Sequence, residues 1–428
     1  MTQLLIRGGR VIDPASGFDQ TTDLLVADGR VVAVGAAARD VHAGRVIDAT
    51  GWIVAPGLVD LAVRLREPGH EHARMLESEM AAAVAGGVTS LVCPPDTDPV
   101  LDEPGLVEML KFRAEKLHLA RVYPLGALTR GLGGEVLTEM VKLTQAGCVG
   151  FSQAEVPLRN TQVLLRALQY ASTFGYAVWL RPQDRDLGAG VVASGPLATR
   201  MGLSGVPVAA ETIAVHTIVE LMRSTGARVH LCRLSSAAGI ALVRQAKAEG
   251  LAVTCDVSIN SLHLTDIDIG YFDSRARLNP PLRQQRDRDA IRAALADGTI
   301  DALVSDHTPV DEDGKTLPFA ESEPGATGVE LLLSLALKWA TDGGVGLIRA
   351  LQVLTSTPAQ ILGAHGEAGV GRLTAGAVAD LCIFDPAAAW TVTAQTLRSQ
   401  GKHTPFSGYE LPGRVRCTVV GGQVAFEG

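Results

Sequence analysis

Eight apolar, β-branched runs recur along the chain: GLVDLAVRL (57–65), VTSLVCP (88–94), ARVYPLGAL (120–128), CVGFSQ (148–153), AVWLRP (177–182), RVHLCRLS (228–235), AVTCDVSI (252–259) and IDALVSDHTP (300–309). Most gaps hold a helical pattern, as in RMLESEMAAAVAGG, NTQVLLRALQYASTFG and RDRDAIRAALADG. Near-continuous apolar strands alternating with amphipathic helices belong to parallel sheets covered by helices on their outer face. Eight such units over roughly 250–300 residues predict a (β/α)8 barrel.

Both ends of the chain have a different texture. Residues 1–55 and the C-terminal stretch are short β-type runs separated by turn residues such as ADG and GG. These ends predict a small composite β-sandwich built from both termini, with 1–55 as its first part, 56–363 as the barrel and 364–428 as its second part. A chain of 428 residues accommodates a large α/β unit plus a smaller one.

Composition excludes several classes of partner. The formal net charge is −8 and no long Lys/Arg run occurs, which argues against nucleic acid and anionic membranes. No apolar stretch reaches the ~18 residues of a membrane span, and the N-terminal MTQLLIRGGRVIDP lacks the pattern of a secretory signal. Six cysteines at 93, 148, 232, 255, 382 and 417 form no CxxC pair, as expected of buried free thiols in a reducing cytoplasm.

A barrel of this kind carries its chemistry at the C-terminal ends of its strands. Those ends bring forward Arg64, Arg66, Asp96, Gln153, Arg181, Arg233, Asn260 and the pair Asp306-His307. In VDLAVRLREPG (59–69), Ala62 and Arg64 stand two residues apart, on one side of an extended chain, and neither can ligate a divalent metal.

PGLVDLAVRLREPG, AGCVGFSQAEVPLRN, WLRPQDRDL, VHLCRLS, RLNPPLR and DGTIDALVSDHTP, in that order, resemble the successive signatures of dihydroorotases in the amidohydrolase superfamily. The resemblance runs from about residue 50 to the C-terminus. It implies an amidohydrolase-type barrel with a composite sheet domain, and a zinc-dependent hydrolysis of dihydroorotate. The family's first strand ends in an aspartate, His-x-His and an arginine; here Asp60 and Arg66 remain, but Ala62 and Arg64 stand at the histidines. The carboxylate-bearing fourth strand reads Phe151-Ser152-Gln153-Ala154-Glu155, and the fifth- and sixth-strand histidines are Arg181 and Arg233. Asn260-Ser261 replaces a His-His pair, and of the ligand set Asp306 alone survives, as a vestige. Arg66 and Asn279 match family residues that contact the substrate carboxylate, whereas Asp96 stands where an asparagine is expected and Val310 where a histidine is expected.

Zinc needs three or four N, O or S donors, and a guanidinium has no lone pair to give. The expectation is therefore a site with no metal and no cofactor. Arg64, Arg66, Arg181, Arg233 and Asn279 then admit two readings: internal ion pairs that plug the barrel mouth, or an anion site for a phosphate or carboxylate. His70, His72, His230 and His307 read as loop or packing histidines, with His230 and His307 directed away from the pocket.

Three functions follow as alternatives. One is a non-catalytic homologue, as in bacteria where an inactive dihydroorotase-like chain assembles with the catalytic subunit of aspartate carbamoyltransferase; a homodimer is a further arrangement left open. The second is an active metal-dependent dihydroorotase or related cyclic amidohydrolase, which would have to recruit His70, His72, His263 and Asp306. The third is an anion-metabolite sensor.

Overall fold

In the computed structural model, which describes residues 3–38, 43–72, 74–363 and 369–428, the eight apolar runs all lie in parallel barrel strands. They are Leu58–Asp60, Val88–Cys93, Arg121–Pro124 continued by Gly126–Ala127, Phe151–Ser152, Ala177–Leu180, Arg228–Leu231, Val253–Ser258 and Ala302–Val304. Each pairs in parallel with the next. The ring shuts where Val63 bridges His307: Arg64 N donates to His307 O at 2.9 Å and His307 N to Ala62 O at 3.0 Å. Closure leaves no unpaired sheet edge, and it places the segments after the first and eighth strands side by side.

The strands are apolar because both faces are covered. All six residues of Val88–Cys93 are buried, as a parallel strand between barrel interior and helix layer requires. The helices follow from equally local signals. In Thr161–Phe174, the Asn160 side chain accepts from Gln162 N, Leu164, Ala167, Leu168 and Ala171 make the buried stripe, and Gly175 ends the helix at φ +71°. Met140–Ala146 and Leu332–Gly343 complete the helical layer, and the sequence pattern did not mark them.

Val59, Val92, Trp179, Ala302 and Val304 fill the barrel axis. His230 belongs to this interior layer, which corrects its expected placement on the face away from the pocket. Its ring lies 4.4 Å from that of Trp179, and its Nδ1 and Nε2 each stand 2.8 Å from an oxygen, Thr254 Oγ1 and Asp256 Oδ2. Counting alternate residues from Arg233 fails because Arg233 lies beyond the strand end with φ +53°.

The strands Gln3–Asp13, Phe18–Ala27, Arg30–Val34, Arg45–Asp48, Ile53–Pro56, Leu381–Thr391, Glu410–Val420 and Gln423–Glu427 form one eight-stranded sheet. Its two halves join where Ile53–Pro56 runs antiparallel to Leu381–Phe384. Gln3–Asp13 serves three partners: it runs antiparallel to Phe18–Ala27, with a register shift between Ile6 and Gly9, and parallel through Leu4–Arg7 to Arg45–Asp48 and through Arg10–Val11 to Ile53–Val54. Leu4, Ile6, Leu24, Val54, Leu381 and Val419 belong to a core of its own. Residues 364–368, where the second half was expected to begin, lie outside the described residues. The fold is thus a (β/α)8 barrel with a composite β domain built from both ends of the chain. Among the described residues no helix is long and apolar enough to cross a membrane.

Candidate site at the barrel mouth

Four strand ends are turned by non-glycine residues in the left-handed region: Arg66 (φ +62°), Ala154 (+49°), Arg233 (+53°) and Asp306 (+53°). Such a conformation costs roughly 1–2 kcal/mol per L-residue and persists only where the surroundings impose it. Here it breaks the strand alternation and sends side chains from four strands toward one another.

At the meeting point stands Glu155. Its Oε1 accepts from Arg64 Nη2 at 2.9 Å and from Arg233 Nη2; its Oε2 accepts from Arg181 Nη1 at 2.7 Å and from Asn279 Nδ2 at 3.0 Å. Arg233 Nη1 also donates to Asp306 Oδ1 at 2.9 Å. Arg64 Nε donates to Asp96 Oδ2 at 2.9 Å, and its Nη1 to Thr308 Oγ1 at 3.0 Å. One carboxylate therefore ties the segments after the first, fourth, fifth, sixth and seventh strands together.

The electrostatics follow from burial and pairing. Burial alone would raise the Glu155 carboxyl, but Arg233, Arg181 and Arg64 hold it well below the usual carboxylate range. For Arg233 burial is likewise overridden, by Glu155 and Asp306, and its guanidinium is held well above the ordinary value. Asp306 goes the other way: burial raises it despite Arg233 and Arg64. Asp60 lies beneath, fully buried, with Oδ1 accepting from Ala62 N and Ser305 N at 3.2 Å each and Oδ2 without a hydrogen-bond partner among the described residues. Burial raises its carboxyl to about 6.

Arg66 stands apart from this network. Its Nε donates to Pro309 O at 2.8 Å, and among the described residues no carboxylate lies within ion-pair distance. Burial, then the charge of Arg64, lowers it to about 10. It lines a cavity of about 330 Å³ shared with Asp96, Glu155, Asn279, Asp306 and Glu323.

The donor set does not fit the zinc that the resemblance implies. Ala62 offers no donor, and Arg64, Arg181 and Arg233 bring cations without lone pairs. Both oxygens of Glu155 are taken by two N–H donors each, and Asp306 Oδ1 by Arg233. Among the described residues the one group of three ligand atoms close enough to hold an ion is His230, Cys232 and Asp256, in the barrel interior. There His230 and Asp256 already hydrogen-bond each other, and burial keeps the Cys232 thiol well above its usual range, away from the thiolate a metal needs. The recruits that a working hydrolase would need do not converge. His263 Nε2 bonds to Leu335 O at 2.9 Å, while His70 and His72 sit on a turn, 6.1 Å apart ring to ring. His307 turns from the pocket: its Nε2 meets Glu79 Oε2 at 2.7 Å and its Nδ1 faces the N–H groups of Gly328 and Val329.

Of the residues singled out in the sequence, Arg64, Arg181, Arg233, Asn279 and Asp306 come together around Glu155, and Arg66 faces the adjoining cavity. Gln153 does not join them. Its Oε1 accepts from Thr129 Oγ1 at 2.9 Å and its Nε2 donates to Leu132 O at 2.8 Å, anchoring the 129–134 turn instead. Glu155 takes the central position, and Thr308 was also missed. Charge balance was the available signal: three buried guanidiniums demand carboxylates, and Glu155 is the acid nearest the fourth strand's end.

A family model described as Dihydro-orotase-like matches residues 51–238, and one described as Amidohydrolase family matches residues 206–425. The chain is 47% identical over 424 residues to a Dihydroorotase-like protein of Pseudomonas aeruginosa, with 99% of each covered. It is 46% identical over 420 residues to one of Pseudomonas putida, with 98% of each covered. A Dihydroorotase of Citrifermentans bemidjiense is 41% identical over 425 residues, again with 99% of each covered. Among solved structures, the L-hydantoinase (dihydropyrimidinase) of Arthrobacter aurescens superposes with a TM-score of 0.88 at 26% identity, over 100% of this chain and 96% of that one.

Proposed function

Since the chain belongs to the dihydroorotase-like family of amidohydrolases, we propose that it is a non-catalytic member that serves as a structural subunit for the catalytic chain of aspartate carbamoyltransferase. The observation that carries this reading is Glu155 held by Arg64, Arg181 and Arg233 where the family gathers metal ligands. Hydrolysis of a cyclic amide by this family needs a metal-activated water and a polarised carbonyl. A guanidinium cluster closed on its own carboxylate supplies neither. Cationic side chains instead act as fixed counter-ions for Glu155 and Asp306, so the mouth keeps its shape without an ion. What such a chain retains is a rigid barrel and its surface, which suits assembly.

Co-expression with the matching carbamoyltransferase catalytic chain tests the proposal. A stable hetero-oligomer at micromolar concentration, with no dihydroorotate hydrolysis by either the free or the assembled chain, supports it. Separate elution of the two chains overturns the assembly role, and zinc-dependent turnover would restore the reading of an active cyclic amidohydrolase.

A second reading rests on Arg66, whose guanidinium faces the cavity without a carboxylate partner among the described residues. A half-buried cation in that state favours a carboxylate or phosphate ligand, the sensor function. Calorimetric titration with carbamoyl aspartate, beside an Arg66→Met control, decides it.

A further inference from the structure

The segment between the seventh barrel strand and its helix carries an apolar surface that the barrel does not use. Ile269, Ala276 and Leu278 anchor the segment in the core, while Ile267 is 73% and Tyr271 95% exposed. Phe272 meets Tyr271 edge-on at 5.6 Å between ring centroids and is itself exposed, as is Leu317 on the adjoining loop. Single exposed apolar residues are ordinary, but a cluster of this kind with an aromatic at its tip is the composition of an interface centre.

Two observations argue that this face is built and preformed. Phe272 holds φ +57°, a conformation that costs a bulky residue free energy and that a glycine would adopt without strain. The segment is also braced from below. Ser274 Oγ donates to Lys315 O at 2.6 Å, and the buried Lys315 Nζ donates to three carbonyls, Ser274 O at 3.0 Å, Arg277 O at 3.1 Å and Glu323 O at 2.7 Å. Ordering has therefore been completed in the free chain, which lowers the entropic cost of docking.

The rim decides the partner's chemistry. Asp268, next to Ile267, and Asp313, in the short helix Glu312–Thr316 that precedes Leu317, are exposed, while the exposed Glu312 faces His403 Nε2 at 3.4 Å. Of the nearby cations, Arg275 pairs with Asp273 at 2.6 Å, Lys315 is buried on its carbonyls, and Arg277 is half-buried with its Nη1 on Leu278 O at 3.4 Å. The surface is an apolar knob in an acidic collar, complementary to an apolar hollow edged with Lys and Arg.

We infer that Ile267, Tyr271, Phe272 and Leu317 form the docking surface for a partner subunit that presents a basic-rimmed apolar hollow. This rests on the assembly role proposed above, and the partner is then the carbamoyltransferase catalytic chain.

The test titrates the full-length chain with that catalytic chain by calorimetry and sedimentation. The variants are Ile267→Asp with Tyr271→Ala, and Phe112→Ala on the exposed face of helix Pro104–Lys116 as a control. Because every substituted side chain is exposed, melting temperatures should match the parent. The double variant is expected to raise Kd about 30-fold or more, as loss of an aromatic anchor does, while the control stays within about 2-fold. Affinity of the parent should fall as salt rises. If the parent assembles and the double variant binds within about 2-fold of it, the docking surface is wrong and the assembly role stands. If the parent itself does not assemble, both fall. Salt-independent binding overturns the basic rim, and a homodimer of the parent broken by the same substitutions overturns the partner in favour of a second copy.

Discussion

Arg181 Nη1 lies 2.7 Å from Glu155 Oε2, so the fifth strand's end, where the family resemblance calls for a metal-binding histidine, donates a hydrogen bond to a carboxylate from the fourth. Where imidazoles would donate electron pairs to an ion, guanidiniums donate protons to an acid.

Glu155→Gln keeps the shape of the side chain and removes the charge that three arginines face. Breaking a buried ion pair by deleting one partner costs about 3–5 kcal/mol. The Glu155 side chain remains 27% exposed to the cavity, so the lower end, about 3 kcal/mol, is expected from urea denaturation. Asn279→Ala, which removes one neutral donor to the same carboxylate, should cost only about 1 kcal/mol.

The two acids of the mouth give opposite pH dependences. The Glu155 carboxyl is lower in the folded chain than in the unfolded one, so its contribution is complete above the ordinary glutamate value, about 4.3, and is lost as pH falls below it. Asp60 is raised by burial to about 6 in the folded chain, so between the ordinary aspartate value of about 3.9 and that point its ionisation erodes stability as pH rises. Thermal melts should show Glu155→Gln with a flatter acid limb, and Asp60→Asn without the loss between about pH 4 and 6.

Thiol chemistry offers a check on the packed core. Burial pushes the Cys93 and Cys148 thiols up to about 12, and Cys382 and Cys417 are also buried. The native chain should react with an aromatic disulfide reagent far more slowly than free cysteine, and all six thiols should titrate in denaturant. Fast labelling of several thiols in the folded chain would contradict the core described above.

Much of this was legible in the residues. The apolar runs located every barrel strand because strands covered on both faces have no polar side to confuse the period. Arg64, Arg181 and Arg233 announced a site that cannot bind zinc, since guanidinium chemistry does not depend on coordinates. Gln153 and His230 were misplaced for a common reason: left-handed residues at Ala154 and Arg233 break the two-residue period on which facing arguments rest. Glu155 went unseen as the centre because its partners come from four other strand ends, a long-range convergence that local pattern does not encode. The exposed Tyr271 likewise left no signal, since aromatic residues in loops read as core until the fold shows otherwise.

Anomalous diffraction at the zinc edge, from crystals grown with added zinc, addresses the barrel mouth itself. No anomalous peak is expected near Glu155 and Asp306, whose oxygens stay with Arg64, Arg181 and Arg233. A peak there with oxygen or nitrogen ligands at about 2.0–2.2 Å would contradict it and return the chain to the metal-dependent hydrolases.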